Sequence, residues 1–461
     1  MSTDYSRYSY WLETVDDDLT PRPPLDGSVT VDVAILGAGL TGLWTAYYLL
    51  NADPSLRVAV VEREIAGFGA SGRNGGWLSP GLSVSLPELE RRFGTDAAVR
   101  LYRSMVDTVQ ESLRVLEVEG IDAQQEQAGS IRMARGPQQL PSVEGSLRTF
   151  ERLGLPEYAQ PLDAAEIAGR VRVTQAIKGI YNPVTASVNP ARLVRGLARA
   201  VERAGATVYE QTNVLDFETG SNPRLMTARG DVRANVVVLA GEAYLSQLAR
   251  TARSVVPIYS LITLTEPLSD RHWDEIGWQQ RWCIGSSRYS VDYLARTADG
   301  RLLFGGRGAP YHFGSKISDA YDRHEPTHRM LQEMAREWFP VLSDVQFTHS
   351  WGGPLGMPRD WMPSMGYQPA DGVAWARGYT GQGVATANLS GRVLRDLITG
   401  VDSELTALPP VNYQNPNWEP EPLRWLGIRL VQSGFTEVDR RAERTGRPPS
   451  GRSIAERLGR H

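Results

Sequence analysis

The feature of this sequence that most constrains its fold is a glycine-rich turn that follows a largely apolar run. The run Val31–Leu36 (VDVAIL) is typical of a buried parallel strand. The hexapeptide Gly37–Gly42 (GAGLTG) comes next, and Leu43–Leu50 predicts a helix. A second strand at Arg57–Val61 completes a strand–helix–strand unit of about thirty residues. The sequence therefore predicts a doubly wound, Rossmann-like α/β domain.

Each glycine of this turn has a physical role in binding a dinucleotide. Gly37 permits the tight turn, Gly39 lets the backbone approach a pyrophosphate, and Gly42 lets helix and strand pack closely. The helix then presents unpaired N–H groups and the positive end of its dipole to the phosphates. Glu62 ends the second strand, where a carboxylate can accept hydrogen bonds from a ribose diol. Because that carboxylate would repel a 2′-phosphate, the unit predicts NAD or FAD and argues against NADP.

Composition and charge argue against several other classes of protein. With 461 residues, of which 41% are hydrophobic, the chain is long enough for two domains. Its net charge of -4 offers no basic field, so we expect neither nucleic acid nor a membrane as a partner. Cys283 is the single cysteine and the six histidines form no ligand pair, so we expect no metal. The charged N-terminal segment has no signal-peptide core, and no apolar run of about 18 residues occurs. We therefore expect a cytoplasmic protein.

A second glycine-rich segment, Gly67–Gly76 (GFGASGRNGG), holds five glycines in ten residues. Backbone of this kind suits close wrapping around a ligand. Together with the first turn, this segment resembles the D-amino-acid oxidase superfamily of flavoproteins, which includes glycine oxidase and sarcosine oxidase. Within it, the chain is most similar to the gamma-glutamylputrescine oxidase-like branch. Three further segments carry the resemblance: Pro190–Val214, Val236–Tyr244 and Gly378–Ile398.

This resemblance implies FAD as cofactor and a fold of two interleaved domains. Some relatives attach their flavin through a cysteine, but the corresponding stretch here (HSWGGPLG) has none, so non-covalent FAD is expected. The second domain would be an α+β substrate domain on a mostly antiparallel sheet. The predicted FAD-binding domain comprises residues 28–84, 185–248 and 345–402, the substrate domain residues 85–184 and 249–344, and the tail residues 403–461. We expect the end of the tail, from Arg440, to be loosely held.

The two glycine turns and the resemblance together predict the cofactor contacts. The second glycine segment would run along the flavin, and a helix that begins after Gly381–Gly383 would direct N–H donors at the flavin pyrimidine. The predicted FAD-binding residues are Gly37, Gly39, Leu40, Thr41, Gly42, Glu62, Arg63, Ser71, Gly72, Arg73, Asn74, Gly75, Gly76, Val214, Ala240, Gly241, Gly378, Tyr379, Gly381, Gln382, Gly383 and Val384.

The activity that the resemblance implies is oxidation of a C–N bond in a small amine or amino acid. A hydride would pass to flavin N5, the imine would hydrolyse, and O2 would be reduced to H2O2. An apolar, aromatic cavity favours the neutral amine that this reaction needs. The alternative hypothesis is a flavin dehydrogenase that acts on a 2-hydroxy acid or amine and passes electrons to another acceptor. A non-catalytic flavoprotein is a third hypothesis.

Four residues are candidates for the catalytic site. Trp351 matches a family position close to the flavin ring, and Tyr259 and Tyr311 are candidates for an aromatic cavity wall. Arg307 stands where some relatives place a lysine that assists oxygen reduction. Its guanidinium can instead hold a substrate carboxylate or phosphate, and Arg73 is a second candidate for that role.

Overall fold

The first glycine turn follows an inner strand of a six-stranded sheet in the computed structural model, which describes residues 3–458. All pairings of this sheet but one are parallel, as expected for the predicted Rossmann-like unit. Strand Val33–Leu36 is largely buried, which confirms the interpretation of the apolar run. The strands follow in the order Ser364–Gln368, Val373–Arg377, Val236–Leu239, Val33–Leu36, Val58–Val61 and Thr207–Tyr209.

The two faces of this sheet are covered by different elements. Strand side chains alternate between the faces, so Ile35 and Ala34 enter different hydrophobic cores. Ile35 packs with helices Leu40–Ala52, Pro190–Arg203 and Gly383–Thr399. Ala34 packs with a four-stranded sheet, whose strands follow in the order Val29–Thr30, Gly230–Arg233, Arg224–Thr227 and Val214–Glu218.

An eight-stranded sheet is the second large element, and it is mostly antiparallel, as predicted. Helix Glu325–Trp338 packs on it through Trp338, whose ring meets the edge of Phe304. The hairpin-type turn Ala298–Gly300 (ADG) predicts two strands within residues 289–307, and the structure has them as Asp292–Arg296 and Leu302–Arg307. The strands follow in the order Phe347–Met357, Val256–Thr265, Leu302–Arg307, Asp292–Arg296, Cys283–Ser286, Ser130–Arg135, Ala176–Asn182 and Gln160–Asp163.

The remaining helices surround the two sheets. The longest of them, Thr95–Val118, buries Leu101 and Met105 in the same core as Ile35. The others are Tyr10–Glu13, Leu86–Phe93, Leu140–Arg152, Ala164–Ala168 and Asp270–Ile276, and a short strand pair joins Trp77–Leu78 to Ala186–Ser187. Over residues 3–458, each helix is too short or too polar to cross a bilayer. The architecture confirms the predicted α/β class with a second, antiparallel sheet.

The C-terminal tail differs from its prediction. We expected the chain to be loosely held from Arg440, but helix Leu423–Thr445, named here the C-terminal helix, runs through that residue. Asp439 and Ala442 are buried on its inner side, which explains why it is ordered. A further helix, Ile454–Leu458, packs on it where Gly434 leaves room for Ala455. Residues 459–461 of the predicted loose end lie outside the described residues.

The predicted domain boundaries stay a prediction, but one strand bears on them. The boundary at residue 345 groups strand Phe347–Met357 with the FAD-binding segments. This strand pairs with Val256–Thr265 along its length and therefore belongs to the eight-stranded sheet. Its last residues bring that sheet to the cleft at the end of the six-stranded sheet.

Candidate active site

The carboxyl ends of the parallel strands open into a cleft. Ligands of open α/β sheets bind at this edge, in the crevice outside the strand ends. The predicted FAD-binding residues that line the cleft are Gly37, Gly39, Leu40, Thr41, Glu62, Arg63, Ser71, Asn74, Val214, Ala240, Gly241, Tyr379, Gly381, Gly383 and Val384. The predicted residues outside its lining are Gly42, Gly72, Arg73, Gly75, Gly76, Gly378 and Gln382.

The first glycine turn has the geometry that a diphosphate needs. Gly37 has a φ of 101°, a conformation that favours glycine. A side chain at Gly42 would collide with the carbonyl oxygen of Gly37, so Gly42 serves the packing of the turn and does not contact the cleft. The amides of the first helical turn have no partner inside the helix. They and the positive helix end form an anion site that fits the FAD pyrophosphate.

Ser71 closes this anion site from the second glycine segment. Its hydroxyl accepts a hydrogen bond of 2.9 Å from the amide of Leu40, at the start of the helix. A side chain at Gly39 would stand 2.9 Å from the same oxygen, so the close approach of the two segments requires a glycine there. The two glycine-rich segments of the sequence therefore meet at one wall of the cleft.

Glu62 lies at the end of the cleft where a ribose is predicted. Its carboxylate accepts hydrogen bonds from the amides of Ala38, at 2.9 Å, and Glu64, at 3.0 Å. Burial raises the pKa of this carboxyl, and the two amides oppose that rise. Asn213 and Val214 line the adjoining wall, which suits the adenine. The residues at this end therefore fit the nucleoside half of FAD.

Asn74 organises the second glycine segment from within. Its side-chain amide donates to the carbonyls of Ala70 and Ser71, at 3.1 and 3.0 Å, and its carbonyl oxygen accepts from the amide of Gly76 at 2.8 Å. Gly72 and Gly76 lie where a side chain would collide with backbone carbonyls. These two glycines therefore serve chain packing, and the structure does not place them in the cleft wall.

Arg73 does not face the cleft, contrary to the prediction that it contacts the cofactor or a substrate anion. Its guanidinium is bound to Asp322 at 2.6 Å, and the Arg73 side chain is only 1% exposed. It also lies over the ring of Phe68, 4.7 Å from the ring centroid. The positive charge is therefore already neutralised inside the protein.

Glu242 holds the opposite wall of the cleft together, and the sequence analysis missed it. One carboxylate oxygen accepts from the amides of Gly378 and Tyr379, both at 3.0 Å, and the other accepts from the amide of Gly356 at 2.5 Å. Burial raises the pKa of Glu242 to about 7, although the three amides lower it. The signal in the sequence was an acidic residue directly after Gly241, in an otherwise apolar stretch.

Tyr379 joins the two helices whose N-termini face the cleft. Its hydroxyl makes hydrogen bonds with Thr41, at 3.0 Å, and Ser390, at 3.1 Å. The turn before it requires glycine, because Gly378 has a φ of 84° and lies against Pro358. Gln382 is the residue before helix Gly383–Thr399. The first turn of that helix lines the cleft, as the prediction for the flavin pyrimidine requires.

Three of the four predicted catalytic residues are core residues in the structure. Trp351 is 1% exposed, and its indole N–H donates to the carbonyl of Arg73 at 2.9 Å. The hydroxyl of Tyr259 accepts from the amide of Ser318 at 3.2 Å, and that of Tyr311 binds the Ser315 hydroxyl at 3.0 Å. None of the three rings lines the cleft or the large cavity beside it. Their predicted catalytic role is therefore replaced by a structural one.

Arg307, the fourth candidate, does lie at a functional position. Its guanidinium donates to the carbonyl of Thr380 at 3.0 Å, in the turn whose next residue, Gly381, lines the cleft. The same side chain lines a second cavity on the other side of that turn. Burial lowers the pKa of Arg307 to about 10. Among residues 3–458 it has no ion pair with a carboxylate.

Tyr293 is a further residue that the sequence analysis missed. Its hydroxyl is 3.0 Å from that of Ser260, and its ring covers Gly305. The ring also fills the space beside Gly75, which explains why that position of the second glycine segment has no side chain. Tyr293 therefore joins the eight-stranded sheet to the segment that runs along the cleft. The signal in the sequence was that Tyr293 and Leu294 are neighbours in a strand, so their side chains lie on opposite faces of the sheet.

The other predicted groups are easily placed. Cys283 is buried within the eight-stranded sheet and does not line the cleft, and burial raises the pKa of its thiol. In the part of the chain that the structure describes, no three His, Cys, Asp or Glu side chains are grouped to hold a metal ion.

Comparisons with known proteins agree with this geometry. The family model described as DAO, FAD dependent oxidoreductase, matches residues 32–397. A protein assigned as the oxidoreductase OrdL from Rhizobium meliloti is 31% identical over 406 residues, which cover 86% of this chain and 90% of that protein. Gamma-glutamylputrescine oxidoreductase from Escherichia coli is 29% identical over 386 residues, which cover 82% of this chain and 86% of that protein.

A solved structure has the same fold over most of its length. Glycine oxidase from Geobacillus kaustophilus superposes with a TM-score of 0.66 and 22% identity, covering 84% of this chain and 99% of that one. The family model spans well over half of the chain, so the resemblance and the FAD cofactor are confirmed. The chain belongs to the DAO family of FAD-dependent oxidoreductases.

Proposed function

We propose that the chain oxidises a carbon–nitrogen bond of an amine or amino acid, with O2 as electron acceptor and H2O2 as product. The observation that carries the choice of substrate class is the position of Arg307, whose charge lacks a carboxylate partner among the described residues. Its guanidinium binds the carbonyl of Thr380, beside Gly381 of the cleft wall, and its side chain lines the second cavity. Relatives named gamma-glutamylputrescine oxidoreductase and glycine oxidase support an amine or amino acid as the substrate class. Bound FAD supplies the hydride acceptor for such a reaction.

The charge of Arg307 suits this chemistry in two ways. A guanidinium repels a nearby ammonium and thereby favours the neutral amine, which has the free lone pair that hydride departure needs. It also binds a carboxylate through two parallel hydrogen bonds, which orients an amino-acid substrate. The carbonyl of Thr380 holds one N–H of the guanidinium at 3.0 Å, so the fork is fixed before a substrate arrives.

Glu242 and the helix that begins at Gly383 support the proposed position of the flavin. The Glu242 carboxylate fixes the backbone amides of Gly378 and Tyr379, and so sets the position of the turn that precedes helix Gly383–Thr399. The N-terminal amides of that helix then lie ready to stabilise negative charge on the flavin pyrimidine. The ammonium form loses its proton to water before the hydride step, because the Arg307 charge disfavours a second cation beside it, so the hydride step itself needs no side-chain acid or base.

A screen of FAD-loaded enzyme under anaerobic conditions tests this function. Polyamines, N-methyl amino acids, aminophosphonates and 2-hydroxy acids are added separately, and bleaching of the flavin absorbance identifies electron donors. Admission of O2 to the bleached enzyme is expected to restore the absorbance and to produce H2O2. An enzyme that only 2-hydroxy acids bleach would refute the proposal.

Arg307 itself gives a sharper test of the substrate class. Arg307→Met is expected to raise KM for a carboxylate-bearing substrate by about 30-fold, because a charge-assisted hydrogen bond contributes about 2 kcal/mol. Arg307→Lys keeps the positive charge but loses the two parallel N–H donors of the guanidinium, so its KM is expected to lie between those of the natural chain and Arg307→Met. An equal effect of Arg307→Met on amines with and without a carboxylate would argue against the orienting role.

A flavin dehydrogenase is the second candidate, and one observation favours it. The sequence resemblance implies that Arg307 stands where some relatives carry a lysine that assists oxygen reduction. A D-amino acid dehydrogenase is also among the proteins that the chain is similar to. The enzyme is first reduced with an amine, and the rate of its reoxidation is then measured. Slow reoxidation by O2 with fast reoxidation by an artificial quinone would support the dehydrogenase over the oxidase.

A further inference from the structure

A second cavity, of about 550 Å³, is lined by Arg307 and is named here the chamber. Arg307, the last residue of strand Leu302–Arg307, and the next residue, Gly308, line what is called here its inner end. One side is helix Glu325–Trp338, and the outer side is the C-terminal helix. The proposed substrate anchor, Arg307, is therefore part of the wall of this chamber.

The C-terminal helix is a fixed wall of this chamber. The Asp439 carboxylate accepts hydrogen bonds from the amides of Tyr289, at 3.0 Å, and Ser290, at 2.8 Å. About two turns earlier, the Gln432 side chain accepts from the amide of Tyr311 at 3.1 Å and donates to the carbonyl of Ala309 at 3.2 Å. The helix is thus attached to the two loops that flank strands Asp292–Arg296 and Leu302–Arg307.

The middle of the chamber is lined by apolar side chains on both sides. Met330 and Met334 project from one helix, and Ile428 and Val431 from the C-terminal helix. Methionine side chains adapt to ligands of irregular shape. A pocket with this lining takes an apolar body, and a few polar groups then fix its orientation.

The charges along the wall are mostly neutralised by partners, in contrast to that of Arg307. Three of the five lining arginines have a carboxylate within 3.2 Å: Arg288 pairs with Glu443, Arg359 with Glu419 and Arg424 with Glu421. Among residues 3–458, Arg307 and the half-buried Arg429 of the C-terminal helix form no such ion pair. An anionic group that enters the chamber therefore finds, at Arg307, a guanidinium that has no carboxylate partner among the described residues.

We infer that the substrate is an amino acid with a long apolar substituent on its nitrogen or α-carbon. This inference rests on the proposed function and narrows its substrate class. Arg307 holds the carboxylate beside the flavin, and the substituent lies between Met330 and the C-terminal helix. A small amino acid such as glycine would leave the apolar wall in contact with water, whereas each methylene that enters the chamber is removed from water.

Binding of n-alkanoates, from acetate to octanoate, tests the chamber without any turnover. Titration calorimetry on FAD-loaded enzyme is expected to show a Kd that falls about fourfold for each added methylene, from about 0.8 kcal/mol per buried CH2. A Kd that does not change with chain length would overturn the inference.

Gly427 allows the chamber to be filled by mutation. It lines the chamber, and a side chain there would meet no atom within 4 Å, so Gly427→Phe is expected to fold. The Kd of acetate should be unchanged in this variant, whereas the Kd of octanoate should rise at least tenfold, because the ring of the new side chain occupies the space for the alkyl chain. Leu430→Phe, on the same helix but 54% exposed, is the matched control and should bind like the natural chain. Equal melting temperatures and equal FAD contents of the two variants would exclude misfolding. Equal octanoate affinity of the two variants would refute the assignment of the chamber as the site of the alkyl chain.

A series of N-alkylglycines separates this inference from the proposed function. If kcat/KM rises with the length of the alkyl group, both stand. If short members are oxidised and kcat/KM does not rise with length, the chamber assignment fails alone. If alkanoates bind with the chain-length gain but no amine bleaches the flavin, the proposed function fails while the apolar chamber stands.

Discussion

Arg73 and Asp322 form a buried ion pair, with 2.6 Å between guanidinium nitrogen and carboxylate oxygen and side chains that are 1% and 7% exposed. The pair ties the second glycine segment to the segment Asp319–Arg323, which contacts strand Phe347–Met357. The hydroxyl of Tyr244, which lines the cleft, accepts from the same guanidinium at 3.2 Å. A residue that the sequence presented as an anion-binding candidate is therefore part of the scaffold that supports the cleft.

Removal of Asp322 should destabilise the fold strongly. Asp322→Ala leaves the Arg73 charge buried without a partner, which costs about 3–5 kcal/mol. The free energy of unfolding, measured with a denaturant, is expected to fall by that amount. Glu325→Ala removes the exposed pair with Arg329, whose side chains are 73% and 67% exposed, and is the control with an expected loss below about 1 kcal/mol. Similar losses for the two variants would contradict the structural role of the buried pair.

Glu242 should make stability depend on pH. Its pKa is raised to about 7 in the folded chain, from an ordinary value of 4.5, because it is buried. Between these values the folded chain retains a proton that the unfolded chain has released, so the free energy of unfolding falls as pH rises through this window. The loss amounts to about 3 kcal/mol, and above about pH 7 the contribution is constant.

Glu242→Gln removes this titration and serves as the comparison. On FAD-free protein, the difference in unfolding free energy between the natural chain and Glu242→Gln is measured at about pH 5 and about pH 8. Relative to the variant, the natural chain should lose about 2.5 kcal/mol between these two pH values, because a small part of the window lies below pH 5. A difference that stays constant across this range would show that the Glu242 carboxyl titrates normally.

Gly42 should tolerate no side chain. In Gly42→Ala the methyl group would collide with the Gly37 carbonyl oxygen, so the helix must move away from the phosphate site. We expect a loss of about 2 kcal/mol in stability and at least a tenfold weaker FAD affinity, read from flavin absorbance at a fixed FAD concentration. Gly145→Ala, in an open helical position, is the matched control and should be neutral or stabilising. Full FAD occupancy in Gly42→Ala would refute the assigned packing role.

The flavin should leave the denatured chain. Cys283 is buried within the eight-stranded sheet and is absent from the cleft lining, so the single thiol of the sequence is not placed to bond with the cofactor. Acid precipitation of the holoenzyme is expected to leave all yellow colour in the supernatant. Colour that remains in the washed pellet would contradict non-covalent binding, and the variant Cys283→Ala would then show whether that thiol is the attachment point.

The elements that the sequence predicted well are those set by local spacing. The first strand, its glycine turn and the following helix occur where the apolar pattern placed them, at Val33–Leu36 and Leu40–Ala52. The hairpin strands Asp292–Arg296 and Leu302–Arg307 are equally local, because a short turn joins them. The prediction that the chain is loosely held from Arg440 was wrong. A polar, arginine-rich segment gives no sign that the Asp439 carboxylate binds the amides of Tyr289 and Ser290, which are distant in sequence.

By itself, the sequence determined the nucleotide-binding unit, its glycines and the class of cofactor, because a turn that only glycine permits and a helix N-terminus are properties of consecutive residues. Only the tertiary structure decided which side chains reach the site. Trp351 and Arg307 lie on neighbouring parts of one sheet, yet Trp351 is packed beneath Arg73 and Arg307 faces the chamber. That choice depends on register, on what covers each face and on which charges find a partner, and all three are set by contacts between residues far apart in the chain.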